Sequence, residues 1–214
     1  MRTLWITNQS ALISRPTAHT FHTVVSSSAG FTIGTSPWDA SCKARRKAAA
    51  TALNRPAVQS YMPIIDLEAT TSIREMLRDA DANAAAAAGG ADAVVGEINP
   101  NPYFQRYALN TSLTLNYGFR IKGSIDDAML KEIVLVEREV SNFRSTSNNW
   151  QDYIPLMRLW PSSSAAPKEF RARRDRYMTT LLGMLKDKID KGTDKPCITG
   201  NILKDPEAKL NDGE

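Results

Sequence analysis

Few residues of this chain belong to the types that ordinarily carry catalysis. Two cysteines, Cys42 and Cys197, are too few for a disulfide framework or an all-cysteine metal site, and they fit a reducing compartment. Two histidines, His19 and His22, leave few candidates for acid–base work. They stand three apart in a loop and could share a metal, but no further ligand is near. Packing or surface hydrogen bonding is the competing reading. The stretch Gly30-Phe-Thr-Ile-Gly34 is bracketed by glycines without the spacing of a phosphate cradle. No Gly-x-Gly-x-x-Gly, Walker or His-Glu-x-x-His pattern occurs.

The remaining chemistry is cationic and aromatic. Lys43, Arg45, Arg46 and Lys47 form one basic run, and Arg171, Arg173, Arg174 and Arg176 form another. The first is either a solvated helix face or an anion site using bidentate guanidinium bonds. The second reads as a solvated face. Trp38, just before the first run, is either a core anchor or one wall of a flat-ligand site. Phe31 likewise either anchors its loop or offers apolar surface to a small aromatic ring.

The elements that must position these residues read mostly as helix. The chain has 214 residues and a formal charge of +4, enough for one domain or two small ones and too mildly basic for a dedicated nucleic-acid binder. No apolar run approaches the roughly 20 residues of a membrane span, and the start lacks the apolar stretch of a signal peptide.

A short helix over Thr3–Ile13 should stop before Pro16. Thr17–Pro37, rich in Ser, Thr and Gly, reads as a long loop of the kind that often binds. Helices are expected over Trp38–Leu53, opened by Asp39, and over Ala57–Ala80, with Pro63 early and an apolar face of Ile65, Ile73, Met76, Leu77 and Ala80. Asp81–Pro102 reads as an exposed loop, although its alanines could extend the preceding helix. Tyr103–Tyr117 should end at Gly118. Ser124 and Asp127 resemble a capping box opening Ile125–Arg144. Ser145–Pro167 is a second long connection. A last helix over Lys168–Lys191 should stop at Gly192, with a polar tail beyond. There is no alternating strand pattern.

Longer strings carry a resemblance. Leu4–Pro16, then Gly30-Phe-Thr-Ile-Gly-Thr-Ser-Pro-Trp-Asp39, then Cys42–Tyr61, Asn101–Gly118 and Asn148–Pro155 resemble fungal cytochrome P450 monooxygenases. Within these they are most similar to the phenylacetate hydroxylase family. The likeness covers nearly the whole chain apart from the Ala/Gly loop.

The resemblance implies a mainly α, partial cytochrome P450 fold over residues 1–214, helices B to G with long B–C and F–G loops. Thr17–Pro37 would be the substrate-contacting B–C loop, with Ser28, Phe31 and Ile33 as substrate contacts, and Trp38–Leu53 would be helix C. That helix in the family carries a Trp and an Arg pair that meets the haem propionates. Here Trp38 precedes Arg45-Arg46 at a longer separation, which puts Arg45 ahead of Trp38 as a cofactor contact.

Also implied are an aromatic-acid substrate, haem, and electrons from NADPH through NADPH–cytochrome P450 reductase. For full-length relatives it implies an endoplasmic reticulum membrane. The family's Phe-x-x-Gly-x-Arg-x-Cys-x-Gly haem loop, its helix I Thr, its Glu-x-x-Arg pair and its N-terminal anchor do not occur in this sequence. The expectation is therefore an internal fragment, inactive by itself. A non-catalytic helical interaction protein is the alternative.

Overall fold

The computed structural model describes residues 7, 14, 17–26, 33–87, 96–145, 149–160 and 165–205. Among them there is no strand, and no helix is long and apolar enough to cross a membrane. The expected helix over Thr3–Ile13 lies almost wholly outside the described residues, as do Ser28 and Phe31. The chain divides into two compact units, one formed by Met1–Leu53, Leu135–Thr180 and Asp205–Glu214, the other by Asn54–Val134 and Leu181–Lys204.

In the first unit, Thr17–Pro37 is not all loop. His19–Val25 forms a π-helical segment, closed by a hydrogen bond from Ser26 N to Phe21 O at 2.8 Å. Phe21 and Val25 are buried with Val136 and Val140, and Ala18, Phe143, Phe170 and Tyr177 pack against them. Helix α1, Ala40–Ala52, follows the expected span, with the Asp39 carboxylate accepting from Cys42 N at 2.7 Å as its N-cap. The expected long connection Ser145–Pro167 contains two turns of helix. These are α6, Trp150–Tyr153, and a 3₁₀ segment, Pro155–Leu159. They leave Trp150, Tyr153, Leu156, Leu159 and Trp160 largely exposed.

In the second unit, the expected helix over Ala57–Ala80 is two, α2 at Arg55–Ser60 and α3 at Met62–Ala87. Pro63 has no N–H to give and its ring would clash with the carbonyl four residues back. The helix therefore breaks at Tyr61 and restarts with the proline in its first turn. The alanines then carry α3 through to Ala87, so the first part of the expected Asp81–Pro102 loop is helical.

The face expected to be apolar is only partly turned inward, with Ile65, Met76 and Ala80 half-buried. Ile73 and Leu77 stand 54% and 61% exposed, while Glu68 and Ser72 are buried. Helix α4, Asn101–Tyr117, ends as expected at Gly118, whose φ of 60° suits glycine. The polar tail after Gly192 includes a short helix α8, Ile198–Lys204.

Two further helices, α5 at Ala128–Asn142 and α7 at Ala165–Asp190, each contribute residues to both units. The expected capping box at Ser124 is displaced by one turn. Asp127 Oδ1 accepts from Met129 N at 2.9 Å and Leu130 N at 3.1 Å, whereas Ser124 Oγ accepts only from Asp126 N. Asp127 is thus the residue that caps α5. Asp127→Ala should cost about 1 kcal/mol in a denaturant titration, and Ser124→Ala only a few tenths. Equal losses would return the cap to Ser124.

Candidate functional site

Helix α1 sorts its basic residues by face. Cys42 and Arg45, three apart, both turn inward, and Arg45 is only 8% exposed. Its Nε donates to Ser41 O at 3.4 Å, a long bond. Lys43, Arg46 and Lys47 are exposed. Arg46 Nε donates to Ile33 O at 2.9 Å, and its guanidinium lies 5.3 Å from the Trp38 ring centre, with Lys43 Nζ at 5.6 Å. The Trp38 N–H of the backbone donates to Ser14 Oγ at 3.1 Å. The structure therefore joins Trp38 to Arg46 and Ile33, and sends Arg45 to the opposite, buried side. The basic run is neither wholly a solvated face nor wholly a site.

The ends of the Thr17–Pro37 connection are tied together. His22 is buried, its Nδ1 accepts from Ala18 N at 2.8 Å, and its Nε2 lies 3.2 Å from Thr35 O. His22 is thus a buried, hydrogen-bonded residue rather than a surface one, and among the described residues no group of three or more His, Cys, Asp or Glu is placed to hold a metal ion.

The π-helical segment lacks a side-chain N-cap of its own, since Ala18 offers no side-chain oxygen. Its N-terminal end is met instead by Asp152 of α6, whose Oδ1 accepts from Thr20 N at 2.6 Å and Thr20 Oγ1 at 2.9 Å. Gln151 Nε2 donates to Thr20 Oγ1 at 2.8 Å. At the other end, Arg171 donates to Val24 O at 3.4 Å and Arg174 to Val25 O at 3.3 Å. A carboxylate at the positive end and guanidiniums at the negative end match the helix dipole. This corrects the solvated-face reading of Arg171 and Arg174.

A second polar constellation went unforeseen. Between α3 and α4, Glu68 accepts from Arg120 and, at 3.4 Å, from Asn110 Nδ2; Asn110 also exchanges bonds with both backbone groups of Ile121. Arg106 pairs with Glu75, and the Tyr103 hydroxyl donates to Asp79 Oδ2 at 2.7 Å. Spacing of three, four and seven residues among Glu68, Ser72, Glu75 and Asp79 was the available signal.

The hydroxyl of Tyr103 and the guanidinium of Arg78 hold the Asp79 carboxyl below its ordinary value. Burial, with the bond to Asp79, pushes Tyr103 up to about 12. Each shift gives a pH window. The Asp79 contribution is complete above the ordinary carboxylate range and lost as pH falls through the lowered value. The Tyr103 contribution is complete below about 10, its unfolded value, and is lost as pH rises towards 12. Tyr103→Phe should remove the alkaline loss and weaken the acid one in pH-dependent unfolding. An unchanged profile would show that this pair does not govern either limb.

With this geometry in place, comparisons with known proteins add the following. Residues 6–214 match the family model described as Cytochrome P450. The chain is 71% identical over 214 residues to a phenylacetate 2-hydroxylase of Emericella nidulans, covering all of this chain and 39% of that protein. It is 48% identical over 202 residues to a cytochrome P450 monooxygenase CYP3 of Mycosarcoma maydis, covering 94% of this chain and 35% of the relative. A 3-hydroxyphenylacetate 6-hydroxylase of Emericella nidulans is 46% identical over 209 residues, covering 97% and 38%. The chain thus spans well under half the length of these relatives.

Proposed function

Because the chain belongs to the cytochrome P450 family, we propose that it is part of a haem-thiolate monooxygenase that hydroxylates a small aromatic acid such as phenylacetate. The observation that carries this reading is the 71% identity to a phenylacetate 2-hydroxylase along the entire chain. Bound haem supplies the oxygen chemistry. Electrons come from NADPH through NADPH–cytochrome P450 reductase.

The donor chemistry on α1 fits the haem's carboxylates. Arg45 is a buried guanidinium, and its planar fork can pair both oxygens of a propionate. Arg45 would hold that propionate. Trp38 contributes indirectly, bracing the start of α1 through Arg46 and Lys43. Ile33, 40% exposed, faces the aromatic ring of the substrate; Ser28 and Phe31, the other expected contacts, lie outside the described residues. Cys42 and Cys197 are both buried, and neither has the neighbours of the family's haem loop, so neither is assigned as the iron ligand.

The test uses the full-length protein, loaded with haem and supplied with reductase and NADPH. It should convert phenylacetate to a hydroxylated acid. No turnover of any arylacetate, beside turnover of an unrelated substrate, would overturn the substrate class. The isolated chain mixed with haem should give no carbon-monoxide difference band at the thiolate position, and a clear band would make Cys42 or Cys197 a ligand.

A further inference from the structure

The short π-helical segment His19–Val25 is held by groups far away in sequence. On its own a seven-residue helix is unstable, because nucleation costs more than its few bonds return. Asp152 supplies the missing acceptor at its first turn, gathering both the backbone N–H and the hydroxyl of Thr20 on one oxygen. Gln151 holds the same hydroxyl from the other side, and Arg158 Nε fixes the backbone there by donating to Gln151 O at 2.8 Å. From the anchored segment, His22 reaches Thr35 O. Two residues before Thr35 stands Ile33, whose carbonyl is held by Arg46. The hydrogen bonds among these steps are 3.2 Å or less, and the backbone joins Thr20 to His22 and Thr35 to Ile33 over two residues each, so the position of Ile33 is set in part by Asp152. π-helical turns recur at functional sites, and an element stabilised by a few remote contacts is one that can shift when they are lost.

We propose that Asp152 and Thr20 form a positioning latch that fixes His19–Val25 and, through His22 and Thr35, Ile33 against the aromatic acid, making Asp152 a determinant of substrate affinity although it does not touch substrate. This role rests on the reading that Ile33 faces the aromatic ring. Both latch residues are polar, and Thr20 is fully buried, so hydrophobic packing cannot replace the bonds they share. Half-buried Asp152 also joins the latch to the exposed apolar stretch that begins at Trp150. Displacement of that stretch would therefore be felt at Ile33.

The test measures phenylacetate binding to the full-length, haem-loaded protein by calorimetric titration, alongside the unfolding midpoint. Asp152→Ala and Thr20→Val should each raise the dissociation constant about tenfold, the equivalent of one charge-assisted hydrogen bond. The double variant should fall short of the product of the two single effects, since both remove the Asp152–hydroxyl bond. Thr20→Ser keeps the hydroxyl and should bind as the parent does. If Asp152→Ala does not fold, the contrast between Thr20→Val and Thr20→Ser decides alone.

Unchanged dissociation constants with lowered unfolding midpoints would overturn the latch and leave a purely structural clamp. Ile33→Ala separates this from the underlying reading. An unchanged preference between phenylacetate and a bulkier arylacetate in that variant overturns the placement of Ile33. A changed preference there, beside unaltered binding in the Thr20 and Asp152 variants, overturns the latch only.

Discussion

Arg120→Met is expected to lower the stability of the full-length protein by about 3–5 kcal/mol, the cost of stranding a buried charge. Its partner Glu68 is only 1% exposed and would keep one long bond from Asn110 at 3.4 Å. The methionine occupies much of the vacated volume, so the loss reports charge rather than a cavity. Adding Glu68→Gln to the same variant should recover most of the loss, because a neutral amide tolerates burial and still accepts from Asn110. Denaturant midpoints of the single and double variants measure both effects. A single variant within 1 kcal/mol of the parent would show that Arg120, itself 31% exposed, behaves as a surface pair does.

Arg45→Ala should speed haem loss from the full-length enzyme by about 10- to 100-fold, from a charge-assisted pair of about 1.5–3 kcal/mol. Lys47→Ala is the matched control. It removes an equal charge two residues away, but from the exposed face of α1. Transfer of haem to an excess of an apo-globin gives the two rates directly. Equal rates would take Arg45 out of the cofactor site.

Where caps and faces are local, the fold was readable from residue types. Asp39 announces α1, Gly118 closes α4, and Gly192 stops α7, each because one residue supplies the end chemistry. The π-helical segment was not readable, because its acceptor, Asp152, lies 132 residues from Thr20, and Arg171 lies 147 from Val24. Composition alone, rich in Ser and Thr, says loop. Helix α3 misled for a different reason. Ile73 and Leu77 lie at a spacing that suggests a core face, yet the side that packs on α4 carries Glu68, Ser72 and Glu75, each answered by a donor or acceptor on a different element.

The site shows the same division. The basic run on α1 was visible, but only the family resemblance singled out Arg45 within it. Its three-residue spacing from Cys42 was the one local hint that it turns inward. Ser28 and Phe31 lie outside the described residues, and of the expected substrate contacts only Ile33 has a described setting.

The polar α3–α4 seam also has a thermal consequence. Exposing apolar surface on unfolding raises the heat capacity, whereas exposing polar surface lowers it. An interface closed by Glu68, Arg106, Asn110 and Tyr103 therefore adds little to that change, and the apolar side chains Ile73 and Leu77, already exposed, add less than their size suggests. The seam's own share of the stability therefore bends only gently with temperature. Cooling, which weakens hydrophobic contacts, leaves the seam largely intact.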